Sequence, residues 1–107
     1  MNHGLTQDTV EKIKSVLAQF PEVEAAILYG SRAKGNYKEW SDIDLALTGE
    51  IGLPKLFNIT HLLDELSLPY FFDVTLLKDI QNLDLREHIN RRGVPFYNRQ
   101  RVPTNLV

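Results

Sequence analysis

Two apolar runs dominate the first half of this chain, Val23–Tyr29 and Ile43–Leu47, and the segment between them is short. Ten residues separate Ser31 from Asp42. A parallel strand pair needs a crossover of a dozen residues or more, normally helical, so these two runs are expected to pair as antiparallel neighbours. That pairing sets the end of the first strand beside the start of the second. Gly30-Ser31 then meets Asp42-Ile43-Asp44, and the two motifs form one place.

The rest of the chain supplies layers for a small sheet. A first helix is expected over about Asp8–Phe20, with Asp8 and Glu11 as a capping box. Val10, Ile13, Val16, Leu17 and Phe20 form its apolar stripe, and Pro21 stops it. The first strand, Val23–Tyr29, is apolar nearly throughout from Ala25, which predicts cover on both faces. The second strand is placed at Ser41–Thr48. Pro54 opens a second long helix whose buried side carries Leu56, Ile59, Leu62, Leu63 and Leu66. Tyr70–Leu77 reads as a third strand, reached by a right-handed helical crossover and so parallel to the second. A last helix, Leu83–Arg92, is capped by Asn82 or Asp84, with Gly93 as a left-handed C-terminal residue. Val94–Tyr97 can add a short strand. The expected fold class is α/β (α+β): a mixed three-stranded sheet of order 1-2-3 flanked by helices. Residues 1–107 form a single domain, with a core over about 8–97 and a loosely held tail over 98–107.

The chemistry lies in the carboxylates. Asp42 and Asp44 leave the same face of a strand with Cα atoms roughly 6.5 Å apart. Two like charges so placed invite a cation. A pair of divalent ions held by carboxylates is a known arrangement for in-line nucleotidyl transfer. Mg²⁺ asks little of the protein because it keeps waters and takes phosphate oxygens. Asp73 is the lone acid of an apolar strand and the natural third carboxylate, placed to help take up a proton. Gly30 permits close approach, Ser31 offers a hydroxyl and free N–H groups to a triphosphate, and Arg32, Lys34 and Lys38 stand near enough to answer phosphate charge. Each signal has a plainer reading when taken alone. Gly-Ser is a common turn, Asp-x-Asp is often two solvated acids, and Asp73 can be an edge-strand residue facing water. Their joint spacing favours the functional reading.

Bulk properties narrow the classes further. Net charge is −2, so nothing favours a nucleic-acid partner. No apolar run approaches ~20 residues, so no membrane span is expected. Cysteine is absent, which removes thiolate sites and suits a cytoplasmic protein. His3, His61 and His88 lack metal-site spacing, and Trp40 suits either a base or the sheet edge. Arg86, Arg91, Arg92, Arg99 and Arg101 make the C-terminal region basic, a solvated face or a complement to an acidic partner.

The string Gly30-Ser31-Arg32-Ala33-Lys34-Gly35, followed by Ser41-Asp42-Ile43-Asp44-Leu45, resembles the nucleotidyltransferase superfamily that includes DNA polymerase beta. From about Val10 to Tyr97 the chain is similar to its short branch, the minimal nucleotidyltransferases. The resemblance implies that Asp42, Asp44 and Asp73 are catalytic metal ligands for two Mg²⁺ ions. It also implies that Gly30 and Ser31 hold nucleotide phosphate, and that AMP passes from ATP to a hydroxyl. No acceptor-binding domain is visible. In this branch that implies a separate all-helical partner of the HEPN type, with the chain acting as an antitoxin that modifies a tyrosine of it. Two alternatives stay open: a nucleotide-binding module that neutralises its partner without catalysis, and a transferase for small aminoglycoside-like molecules. A homo-oligomer also stays open.

Overall fold

The computed structural model describes residues 3–99, and the tail expected over 98–107 lies, from residue 100 onward, outside them. In chain order the elements are α1 (Gln7–Ala18), β1 (Ala25–Tyr29), α2 (Ser31–Lys34), β2 (Ile43–Thr48), α3 (Leu53–Asp64) and β3 (Phe72–Leu76). A 3₁₀ turn (Leu77–Asp79), α4 (Leu83–Arg92) and β4 (Val94–Asn98) complete it.

β1 and β2 are antiparallel and β2 and β3 parallel, as the connection lengths required. The sheet nevertheless has four strands, in the order β3-β2-β1-β4, not three. β4 pairs antiparallel to the outer side of β1 and leaves that strand internal. Pro95 lies on this edge strand, where a missing N–H costs least, and the register slips between Ala26 and Ile27. A five-residue run containing proline gives a weak strand signal, and only its partner strand makes it one.

α1 and α3 cover one face. Val10, Ile13, Leu17, Ile59 and Leu63 pack there on Ala26, Leu28, Leu45 and Leu47. The other face has a smaller cluster, in which Ile89 of α4 and Ile80 meet Ala46 with Ile27, Tyr29 and Leu77 beside them. β1 therefore alternates between buried and half-buried residues: both of its faces are covered, as expected, the α4 face more thinly.

Two helix ends also differ from expectation. Thr6, not Asp8, caps α1, its Oγ1 accepting from the Thr9 N–H at 3.1 Å. Asp8 instead sits in the first turn, where its charge suits the helix dipole, and pairs with Lys12 at 3.2 Å. Gly93 ends α4 with extended backbone, φ −65°, rather than left-handed. Its small size is what matters: a Cβ there would strike Ile27 Cγ2 and the Ile89 carbonyl. Asn82 caps α4 as expected, its Oδ1 accepting from the Leu85 N–H at 3.1 Å.

Candidate functional site

The strand registers bring the carboxylates together. Asp44 lies opposite Tyr29 on one side and opposite Asp73 on the other. Paired residues share a face, so Tyr29, Asp44 and Asp73 form a row across three strands, and Asp42 extends it two residues upstream. The row lies on the thinly covered face, at the sheet end where β1 stops and β2 and β3 begin. A hydrogen bond from the Ile43 N–H to the Phe71 carbonyl, 2.9 Å, holds the starts of β2 and β3 side by side.

Electrostatics follow from that placement. Burial, and then the charges of Asp73 and Asp42, push the Asp44 carboxyl up to about 6. The Tyr29 phenol is raised to about 12 by burial and by the same neighbours, Asp73 and Asp44. Among the described residues no basic side chain pairs with Asp42, Asp44 or Asp73. Asp73 is exposed on an edge strand, as the plainer reading of it had it, so it carries no cost of burial. Its position opposite Asp44 is what ties it to the site.

Gly30 meets Asp44 from the other side. With φ +76° and ψ −154°, its backbone lies where side chains are rarely tolerated. A Cβ there would occupy the position of Asp44 Oδ2. Gly30 is thus set by two independent demands, conformation and contact. Ser31 follows, half-buried, and its carbonyl accepts from the Gly35 N–H at 3.0 Å, closing the single turn of α2.

Arg32 is not free to answer phosphate. Its side chain is 1% exposed. Nε and Nη2 both donate to the Ser41 carbonyl, at 3.1 and 3.0 Å, and Nη1 donates to the His3 carbonyl at 2.9 Å. The guanidinium lies 4.8 Å from the Tyr70 ring centroid and 5.3 Å from that of Tyr37. Such a planar, forked cation ties carbonyls and rings together in a way an ammonium cannot. Because Ser41 precedes Asp42, Arg32 fixes the approach of the chain to the carboxylates. Lys34 is exposed on the opposite flank of the turn, while Lys38 is exposed in the loop before β2. Trp40 does not cover the sheet edge: it is 73% exposed and, with Tyr37 and Tyr70, lines a cavity of about 410 Å³ over Arg32.

Sequence reasoning passed over Tyr29. The clue was there, a polar-tipped aromatic ending an apolar strand just before Gly30, but only the register shows that it stands opposite Asp44.

The donor set suits a hard divalent cation, being carboxylate alone with no sulfur or imidazole. Among the described residues no three His, Cys, Asp or Glu side chains stand close enough together to hold a metal ion by themselves. An open set fits Mg²⁺ that shares its sphere with water and phosphate, and the cluster of unpaired negative charge around Asp44 gives such an ion a reason to bind.

Residues 11–102 match the family model for polymerase beta-type nucleotidyltransferases. No curated protein matches the chain in sequence. Among solved structures, the chain is similar in fold to one in a toxin–antitoxin complex with AMP-PNP, at 19% identity and TM-score 0.68, covering 90% of this chain and 76% of the other. A second is in a complex of a tri-AMPylated Shewanella oneidensis HEPN toxin with an MNT antitoxin, at 17% identity and TM-score 0.61, covering 89% and 74%. A third is in the MntA–HepT toxin–antitoxin complex, at 18% identity and TM-score 0.63, covering 88% and 74%.

Proposed function

This chain belongs to the polymerase beta nucleotidyltransferase family, and from that premise we propose that it transfers AMP from ATP to a hydroxyl of a separate helical partner. The observation that carries the reading is the row of Asp44 and Asp73 with Asp42 beside it, packed against Gly30 of the Gly30–Ser31 turn. The partner class is supported by structural neighbours in toxin–antitoxin complexes, one of them with a tri-AMPylated HEPN toxin. The acceptor is a tyrosine of such a toxin, and the chain acts as its antitoxin, in the cytoplasm where ATP is plentiful. No helix among the described residues is long and apolar enough to cross a membrane.

In the reaction the acceptor oxygen attacks the α-phosphorus, an O–P bond forms, and the bond from that phosphorus to the β-bridging oxygen breaks. Pyrophosphate leaves with the electron pair. Asp42 and Asp44 would hold Mg²⁺, and Asp73 would complete the set on the acceptor side. The ions would supply charge neutralisation at the α-phosphate and favour the acceptor alkoxide. Asp73, exposed beside Asp44, is placed to receive the hydroxyl proton. Gly30 and Ser31 hold the phosphates close to the carboxylates, and Arg32 positions Asp42 through the Ser41 carbonyl. Catalysis here is mainly positioning and charge, as in phosphoryl transfer generally.

The test is co-expression with a helical protein of the HEPN type, then incubation with Mg²⁺ and ATP labelled at the α-phosphate. Label should appear on the partner and be absent with the Asp42→Asn/Asp44→Asn double variant. Neutralisation that persists in that variant, without label, would establish the binding-module alternative instead.

A further inference from the structure

Phe71 is the most exposed large apolar side chain among the described residues, at 80%, and it stands at the open corner of the sheet. Its carbonyl accepts from the Ile43 N–H at 2.9 Å, which carries the β2–β3 ladder one residue upstream of β3. Phe72, Val74 and Leu76 turn toward the core beneath α1 and α3. Alternation therefore sets Phe71 on the opposite face with Asp73, two residues on, and beside Asp42 at the start of β2. The ring makes no aromatic or cation contact with the described residues. A bare phenylalanine thus adjoins the carboxylates, on their own face.

We propose that Phe71 receives the acceptor, its ring packing against an aromatic side chain whose hydroxyl takes AMP, and so selects a protein tyrosine over an aliphatic hydroxyl. The inference rests on the transferase reading above and gives a task to a residue that the reading leaves idle. The direction of attack carries it. In-line displacement puts the entering and leaving oxygens on opposite sides of the α-phosphorus. With Gly30 packed on Asp44 from β1, the departing pyrophosphate lies on the β1 side. The acceptor then enters over β3, the edge strand on the other side, which carries Asp73 with Phe71 just before it.

Two residues apart on extended chain, Phe71 and Asp73 have Cα atoms roughly 6.5 Å apart, comparable to the length of a phenol side chain. A tyrosine ring laid on Phe71 therefore aims its oxygen at Asp73. Asp73 takes the proton as the O–P bond forms, and the bond to the bridging oxygen breaks, its electron pair leaving with pyrophosphate. A serine hydroxyl, one carbon from its backbone, would have to bring its whole chain down past the Phe71 ring. Ring-on-ring packing and the removal of apolar surface from water are gained with the aromatic acceptor alone.

The experiment uses the full chain with Mg²⁺, ATP labelled at the α-phosphate, and two probes, N-acetyltyrosinamide and N-acetylserinamide. Initial rates should favour the tyrosine probe by about tenfold, the scale of one aromatic pair with the area it buries. Phe71→Ala should abolish that preference by raising KM for the tyrosine probe about tenfold, with KM for ATP unchanged. Phe71→Trp should retain the preference. Phe57→Ala, which removes another exposed phenylalanine from α3 on the far face, should change neither constant. A second readout needs no transfer: the tyrosine probe, titrated into isotope-labelled chain, should shift the amide resonances of residues 71–73 in wild type and not in Phe71→Ala. An unchanged KM for the tyrosine probe in Phe71→Ala, or no wild-type preference between the probes, would overturn the assignment and leave the transferase reading standing. Binding at Phe71 by a wild-type chain that labels neither probe nor a helical partner of the HEPN type would uphold the site and break the transferase reading. Neither binding nor label would overturn the assignment.

Discussion

On the face of the sheet beneath α1 and α3, Leu28, Ile43 and Leu45 are fully shut off from solvent. On the opposite face the same strands carry Tyr29, Asp44 and Asp73, covered only in part by α4 and the 3₁₀ turn. Successive residues of a strand serve opposite faces, so Asp44 and Leu45 are chain neighbours in different solvents. One face is closed by apolar packing and holds the strands in register. The other stays open where its charges gather, which burial would have made costly. A small domain can hold a cluster of like charges because its stability comes from the far side of the same sheet.

That contrast can be broken first at Leu45. Leu45→Ala should cost about 2–5 kcal/mol of unfolding free energy, measured by urea titration, since it empties a buried site. A loss within experimental error would mean that the α1/α3 face is not the stabilising one. Arg32→Met comes next, at about 1–3 kcal/mol, because it strands the carbonyls of Ser41 and His3. It should also impair metal-dependent transfer more than Arg32→Lys does, as lysine restores charge without the fork.

Asp44→Asn should act in the other direction, and with a pH signature. The folded carboxyl titrates near 6 against an ordinary value of 3.8. As pH rises between these values the unfolded chain gives up the proton first, so the wild type loses stability through that window and stays lower above it. The asparagine variant should therefore melt higher than wild type at pH 7 and at the same temperature at pH 4. A difference of the same size at both pH values would exclude charge as its source. Mg²⁺ should narrow the gap at pH 7 by stabilising only the wild type, a shift readable in melting temperature without any substrate. The smallest stability effect is expected for exposed Asp73→Asn, within about 0.5 kcal/mol, yet transfer should fall by orders of magnitude. Unimpaired transfer would return Asp73 to the role of a solvated edge residue.

Much of the site was legible from spacing. The short segment between Ser31 and Asp42 forced β1 and β2 antiparallel, and the long helical link made β3 parallel, so the meeting of the Gly30–Ser31 turn with the Asp42–Asp44 segment needed no coordinates. Element identities followed from periodicity and from proline and glycine punctuation. Three things were not legible. Val94–Tyr97 could be read as a short strand, but not its place beside β1 as a fourth strand of the sheet, because a partner's free edge leaves no trace in the five residues themselves. Arg32 and Lys34 read alike as cations after a phosphate turn. One is buried under two tyrosine rings because the four-residue helix α2 points it inward, and the other faces solvent.

Tyr29 is the third case: it adjoins the turn in sequence, but only the register sets it opposite Asp44. Local sequence determines which residues have the chemistry and which segments are helix or strand, because those depend on near neighbours. Which of two like charges is buried, and which distant residue stands opposite which, is decided only when the strands pair and the helices close on them.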